Sequence, residues 1–302
     1  MSKLDTYEAV TAAIVAQLEA GAKPWKCEWQ TGMAGGTVPL RHNGERYRGI
    51  NVLILWGAAA AAGYRSAHWM TFKQAIELGG AVRKGEKATH IVFFKPLTIQ
   101  EQNAAGEVQD KEIRMLRTYC VFNADQVDGL PERFRPAPIE LVGGLERDQA
   151  SEAALRSCGA EIREGGDKAF YSPGQDVVVM PEFDRFATVG GFLATLAHEL
   201  CHWTGHPSRE DRALRNSFGS KDYAFEELVA EIGAAFVGSR LGIVGDHIDN
   251  HAAYLASWLK ALKNDKRMIF RAASLAQAAA DRVLANAGAA ELVEQDQVAR
   301  AA

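Results

Sequence analysis

Residues 198–202 read His-Glu-Leu-Cys-His, inside a run whose apolar residues Leu193, Leu196, Ala197 and Leu200 recur at three- and four-residue spacing. That periodicity predicts a helix over about 191–203. Histidines at i and i+4 of a helix project from one face a turn apart, so His198 and His202 can converge on one ion while Glu199 lies beside them. The chain must therefore build a helix that is apolar on one stripe and chelating on another, with a second element opposite to complete the site. Zinc is the ion this H-E-x-x-H spacing suits, with manganese or cobalt able to stand in its place.

A source of further ligands follows at a workable distance. The run E-E-L-V-A-E supplies Glu226, Glu227 and Glu231 on a second predicted helix over 223–241, whose apolar stripe is Leu228, Ile232, Ala235 and Phe236. Glu227 and Glu231 share a face one turn apart. The longer pattern H-E-x-x-H-x-x-G-x-x-H holds as far as Gly205 and then fails, because Ser208 stands where a third histidine is required. His206, one residue past the glycine, is a weaker alternative ligand. Three protein ligands would leave one position open, where an ion can acidify a water while Glu199 takes its proton. That is the chemistry of peptide hydrolysis. Five of the eight histidines fall between residues 198 and 251, and His247, His251 and Tyr223 are candidates to donate to a developing oxyanion, His251 being the one preferred. A short strand expected at Asp176–Met180, D-V-V-V-M, offers an edge on which an extended peptide could pair.

Charge divides the chain. Residues 1–135 carry a net +3 and residues 136–302 a net −7, and within residues 41–95 the bias sharpens to +6. A polyanion is the natural partner of that segment. The proline-rich PERFRPAP marks the boundary, giving an expected first domain over 1–130, a linker over 131–142 and a second domain over 143–302.

The expected fold class is α+β. In the first half, helices are predicted over 4–20 with Gly21 as stop, at 51–63 with Asn51 as cap and Gly63 as stop, and from Thr71 to Leu78. Strands follow at Thr89–Lys95 and Arg114–Phe122, with a polar hairpin loop, 100–111, between them. The second half reads as mostly helical with one small sheet, ending in helices over 252–262 and 268–287. Cys27, Cys120, Cys158 and Cys201 form no C-x-x-C pair and read as reduced, mostly buried thiols. No window approaches 18 consecutive apolar residues and the first ten residues are too polar for a secretory signal, so a cytoplasmic protein without a membrane partner is expected.

These motifs carry a resemblance. The H-E-x-x-H helix followed by E-E-L-V-A-E resembles the gluzincin arrangement, which implies Glu227 as the third metal ligand, Glu231 as an acid supporting a histidine ligand, and Glu226 pointing elsewhere. The stretches D-V-V-V-M-P, T-L-A-H-E-L-C-H-W-T-G-H and H-A-A-Y-L-A-S-W-L-K-A-L-K-N-D-K resemble a plasmid- and phage-borne family of zincin-like domains. With P-W, G-I-N-V-L-I-L-W, W-M-T-F-K-Q-A and V-R-K-G-E-K-A in the first half, the chain is similar to ArdC-type antirestriction proteins. The first half is also similar to the N-terminal part of TraC-type plasmid primases. The resemblance implies a single-stranded-DNA-binding domain joined to a zincin-like metallopeptidase domain, protecting conjugating plasmid DNA from host restriction. Aromatic residues interleaved with the basic segment suit single strands. The expected DNA-binding residues are Arg41, Arg46, Tyr47, Arg48, Trp69, Lys73, Arg83, Lys84 and Lys87, with double-stranded DNA left open as a further partner. A protein substrate, such as a restriction component, would then be cut at the metal site. The alternative is a non-catalytic protein that coats single strands and whose metal is structural.

Overall fold

The computed structural model describes residues 5–21, 25, 38–102, 108–135, 148–212, 221–243 and 251–287. Asp5 caps α1 (Thr6–Glu19) by accepting the Tyr7 amide at 3.0 Å, and the helix buries Ile14, Val15 and Leu18. The second helix, α2 (Ile50–Ala62), is apolar nearly all round and is correspondingly buried along Val52, Leu53, Leu55 and Trp56. Gly63 ends it in the left-handed conformation, φ 71°, as its position suggested. Asn51 is not its cap. Gly49 takes that place, and the Asn51 amide bonds the Val92 carbonyl and N–H at 2.8 and 2.9 Å, fastening the helix to an edge strand.

That strand, β4 (Thr89–Gln102), lies in a four-stranded sheet of order β1-β2-β5-β4 with β1 (Leu40–Arg41), β2 (His68–Met70) and β5 (Val108–Asn123). The β4–β5 ladder continues from Thr89↔Val121 to Gln102↔Val108, so most of the stretch expected as a loop is strand. Polar side chains read as a loop, but the ladder runs on through Thr98, Ile99, Val108 and Ile113, β-branched residue types that strands favour. A second small cluster joins Met70, Ala75, Ala124, Val127 and Phe134 around α3 (Phe72–Glu77), β3 (Ala81–Val82) and β6 (Val127–Asp128). Phe134 is 2% exposed and its carbonyl accepts from Ser66 Oγ, so residues 131–134 belong to the first half and not to a linker. Residues 136–142 of the expected linker lie outside the described residues.

In the second half, α4 (Gln149–Arg156) precedes a sheet of β7 (Glu161–Glu164), β8 (Phe170–Ser172) and β9 (Val177–Met180) in the order β7-β9-β8. The Asp176–Met180 segment therefore offers no free edge, because β9 pairs parallel with β7 and antiparallel with β8. Four helices follow: α5 (Val189–Thr204), α6 (Lys221–Leu241), α7 (His251–Asn264) and α8 (Met268–Val283). Thr188 caps α5 through the Gly191 amide at 3.0 Å. Among the described residues no helix is long and apolar enough to cross a membrane.

Gly233 sets the approach of α6 to α5. A Cβ there would lie 2.7 Å from Cys201 Sγ, inside van der Waals contact, so any larger residue would force apart the two helices that carry the candidate ligands. The Cys201 thiol is fully buried and is pushed up to about 12 by that burial. Cys158 is partly buried, whereas Cys120 is exposed, contrary to the expectation of mostly buried thiols; Cys27 lies outside the described residues.

The two halves share one apolar core instead of closing on separate ones. Helix α1 packs on α7, its Tyr7 also meets Phe270 of α8 edge-on at 4.7 Å, and α2 packs on α8 and α6, with Trp56 5.8 Å from Phe236. Polar contacts ring this junction: the Gly49 amide donates to Gln277 Oε1 at 3.0 Å, and Arg48 donates to Asp281, which also accepts from Arg240.

Candidate metal centre

Helices α5 and α6 bring His198, His202 and Glu227 together, with one ligand atom of each lying within 4.8 Å of the others. The His198 and His202 Nε2 atoms are 3.2 Å apart, and the Glu227 oxygens lie 3.6 Å from each of them. Two ring nitrogens bound tetrahedrally to a zinc ion at roughly 2.0–2.1 Å would stand about 3.3 Å apart. The spacing and the donor set, two imidazoles and a carboxylate, fit such an ion.

Each imidazole turns its other nitrogen toward a separate acid. His202 Nδ1 meets Glu226 Oε1 at 3.1 Å, and His198 Nδ1 faces Glu231 Oε2 at 4.0 Å. A carboxylate behind a metal-binding histidine fixes the ring's tautomer and orientation and raises its basicity. Sequence reasoning took Glu226 to point elsewhere, and the structure corrects this. Glu226 is held in turn by Arg212, whose Nε and Nη2 donate to Oε2 and Oε1 at 2.9 and 3.0 Å. Arg212 also reaches Thr204 Oγ1 and the Cys201 carbonyl, which ties the loop after α5 back onto it. The signal that could have found this role was the i, i+1 pair of acids itself: consecutive residues diverge by about 100° around a helix, so two acids in a row serve two different neighbours.

Burial and charge oppose each other at these acids. Desolvation alone would raise the Glu226 carboxyl, but hydrogen bonds and charge from His202 and Arg212 hold it below the ordinary value. Burial likewise acts to raise Glu227, and the imidazoles of His198 and His202, with a hydrogen bond from Tyr223, bring it down to about 2. Glu227 is thus a carboxylate across the physiological range. Tyr223, one of the candidate oxyanion donors, is directed at this ligand. Glu199 is buried on α5 next to His198. His206 bonds Ser208 instead and lies outside the group of converging ligands. His251 begins α7 but its side chain, like the whole of His247, lies outside the described set.

The candidate DNA-binding residues separate into exposed cations and buried rings. Arg41, Arg46, Lys73, Arg83, Lys84 and Lys87 are exposed. Tyr47 and Trp69 are 6% and 1% exposed, so neither ring offers a face to a base, and the stacking role expected of them does not fit. Arg48 is engaged with Asp281 across the junction of the halves. Among the described residues of the first half, the exposed phenylalanine and tyrosine rings are instead Phe72, Phe93, Phe94 and Tyr119. Phe93 and Tyr119 meet edge to face at 6.2 Å on one face of the β4–β5 hairpin, where Phe93 is also the cross-strand partner of Arg117.

The chain matches two family models: the N-terminal domain of anti-restriction factor ArdC over residues 4–122, and a zincin-like metallopeptidase over residues 149–275. It is 47% identical to the antirestriction ArdC protein of plasmid R388, whose metal-free crystal structure superposes with a TM-score of 0.81 over 94% of this chain and 98% of that one. The chain belongs to the ArdC family of antirestriction proteins. A Mn(II)-bound structure of the R388 ArdC superposes with a TM-score of 0.78. Protein y4eC of Sinorhizobium fredii is 39% identical, over 92% of this chain and 91% of its own length. Two Escherichia coli DNA primases named TraC are 41% and 40% identical over 92% of the chain, which spans only 27% and 20% of their lengths.

Replacing Arg212 by Ala leaves the Glu226 carboxylate buried without its bidentate partner, and should lower stability by about 3–5 kcal/mol in urea unfolding. Adding Glu226→Gln to that variant should recover part of the loss. A loss below about 1 kcal/mol would show that the pair is not what holds the loop.

Proposed function

We propose that this protein binds single-stranded DNA on its first half and carries, on its second, a zinc-dependent peptidase-type centre that acts on a protein of the restriction machinery, so protecting entering plasmid DNA in the cytoplasm. The observation that carries the reading is the convergence of His198, His202 and Glu227 beside a buried Glu199. A site that only braced the fold would have no use for a desolvated acid adjacent to a ligand, since burying a carboxylate costs free energy that a structural role does not return.

His198, His202 and Glu227 would hold the ion, with Glu226 and Glu231 behind the two imidazoles. When bound, a divalent ion there supplies Lewis acidity toward a water or a peptide carbonyl. Glu199 accepts the proton of the attacking water and returns it to the leaving amine. Zinc is the proposed resident ion, with manganese compatible with the same donors. On the first half, the cations at Arg46, Lys84 and Lys87 would contact phosphates, and the Phe93–Tyr119 pair beside Arg117 would stack on unpaired bases.

A Glu199→Gln protein should keep its fold and metal and lose protection in a conjugative transfer assay against a restricting recipient, the loss of the base costing roughly 10²–10⁴ in any peptidase rate. Undiminished protection would instead mean a strand-coating protein with a structural ion. Phe93→Ala and Tyr119→Ala should each weaken single-stranded oligonucleotide binding by about 1–3 kcal/mol. The wild-type affinity should fall linearly on a logarithmic salt scale. Salt-independent binding would contradict the electrostatic part of the reading.

A further inference from the structure

Glu231 is 4% exposed, and its two oxygens face different parts of the chain. Its Oε2 faces His198 Nδ1 at 4.0 Å, while its Oε1 accepts the indole N–H of Trp25 at 3.2 Å. Trp25 is 206 residues away in sequence and lies within the stretch that matches the ArdC N-terminal domain. It is 3% exposed, and its ring meets Trp258 of α7 edge to face, centroids 5.8 Å apart at 74°. Trp258 in turn donates to the Ala224 carbonyl at 2.7 Å, on the first turns of the helix that carries Glu227.

An indole has a single donor and no acceptor, so Trp25 can only donate, and its ring is held by burial and by Trp258. A glutamate carboxyl turns freely about its last torsion unless one oxygen is held. Donation to Oε1 therefore fixes the plane of the Glu231 carboxylate and keeps Oε2 toward His198. We infer that Trp25 is a positioning residue through which the first half of the chain sets the affinity of the second half's metal site. The inference rests on the reading of His198, His202 and Glu227 as ligands. It carries a reciprocal consequence: whatever loosens the seat of Trp25 weakens metal binding, and metal binding tightens that seat by the same factor.

The test is a zinc titration of the full chain, by competition with a chromophoric chelator, for wild type, Trp25→Phe, Glu231→Gln and the double variant. Trp25→Phe keeps an aromatic ring in the seat and removes the donor together with part of the indole's volume. Loss of a partner behind a metal ligand typically weakens binding by about 10–100-fold, and that is the expected effect in Trp25→Phe and in Glu231→Gln. Because Trp25 acts through Glu231, the double variant should be no weaker than Glu231→Gln alone. A packing role would lower the melting temperature of the metal-free Trp25→Phe protein while leaving zinc affinity unchanged, or would make the two losses multiply; either result overturns the inference. Should the variant fail to fold, the reciprocal effect is read in the wild type. Among the six indole N–H resonances, zinc should slow hydrogen exchange at Trp25, and an unchanged exchange rate overturns the proposal. A wild-type chain that binds no zinc overturns the metal-centre reading itself, an outcome distinct from all of these.

Discussion

The structure depends on keeping several ionisable groups dry between two helices. His198, Glu199, Glu226, Glu231 and Arg212 are all less than a tenth exposed, in a layer otherwise made of Leu196, Leu200, Leu228 and Ile232. Charges in such a place cost several kcal/mol each unless they are matched. Here they are matched in sequence: Arg212 to Glu226, Glu226 to His202, Trp25 to Glu231, Glu231 toward His198, with the two inner nitrogens and Glu227 left to face one another. A cation held at their centre would complete that neutralisation. Gly233 makes the arrangement possible by letting α6 close on Cys201, so the chemistry of the site and the packing of the helices are one constraint.

The junction of the two halves follows the same logic. An apolar α2 has little polar face to show solvent and is covered by the sheet of its own half and by α8 of the other. The first half is thus not a tethered module. Its aromatic residues Tyr7, Trp25 and Trp56 enter the packing of the second half, and this is how a residue near the start of the chain comes to sit behind a candidate metal ligand.

Much of this was legible in the residues. The helices of the second half follow their apolar periodicity to within a few residues, and the i, i+4 histidines with Glu227 come together as helical geometry requires. What sequence reasoning missed has physical causes. The role of Glu226 depends on Arg212, a partner in the loop after α5 that no local pattern marks. Tyr47 and Trp69 stood among cations and so suggested stacking platforms, yet large rings gain more free energy by burial than by exposure, and both went to the core. The edge strand expected at Asp176–Met180 became central because β7, short and polar, and β8, only three residues long, pair on either side. That the two halves pack on one apolar core was not legible for a similar reason: a proline-rich stretch marks where the chain turns, and it says nothing about which surfaces meet afterwards.

The most direct measurement is the metal content of the gently purified wild-type chain beside Glu227→Ala. The account predicts close to one divalent ion per chain in the wild type and its loss in the variant, because the remaining imidazole pair supplies two donors where three converge. An ion retained in Glu227→Ala, or a wild type that takes up none when zinc or manganese is supplied, would contradict it.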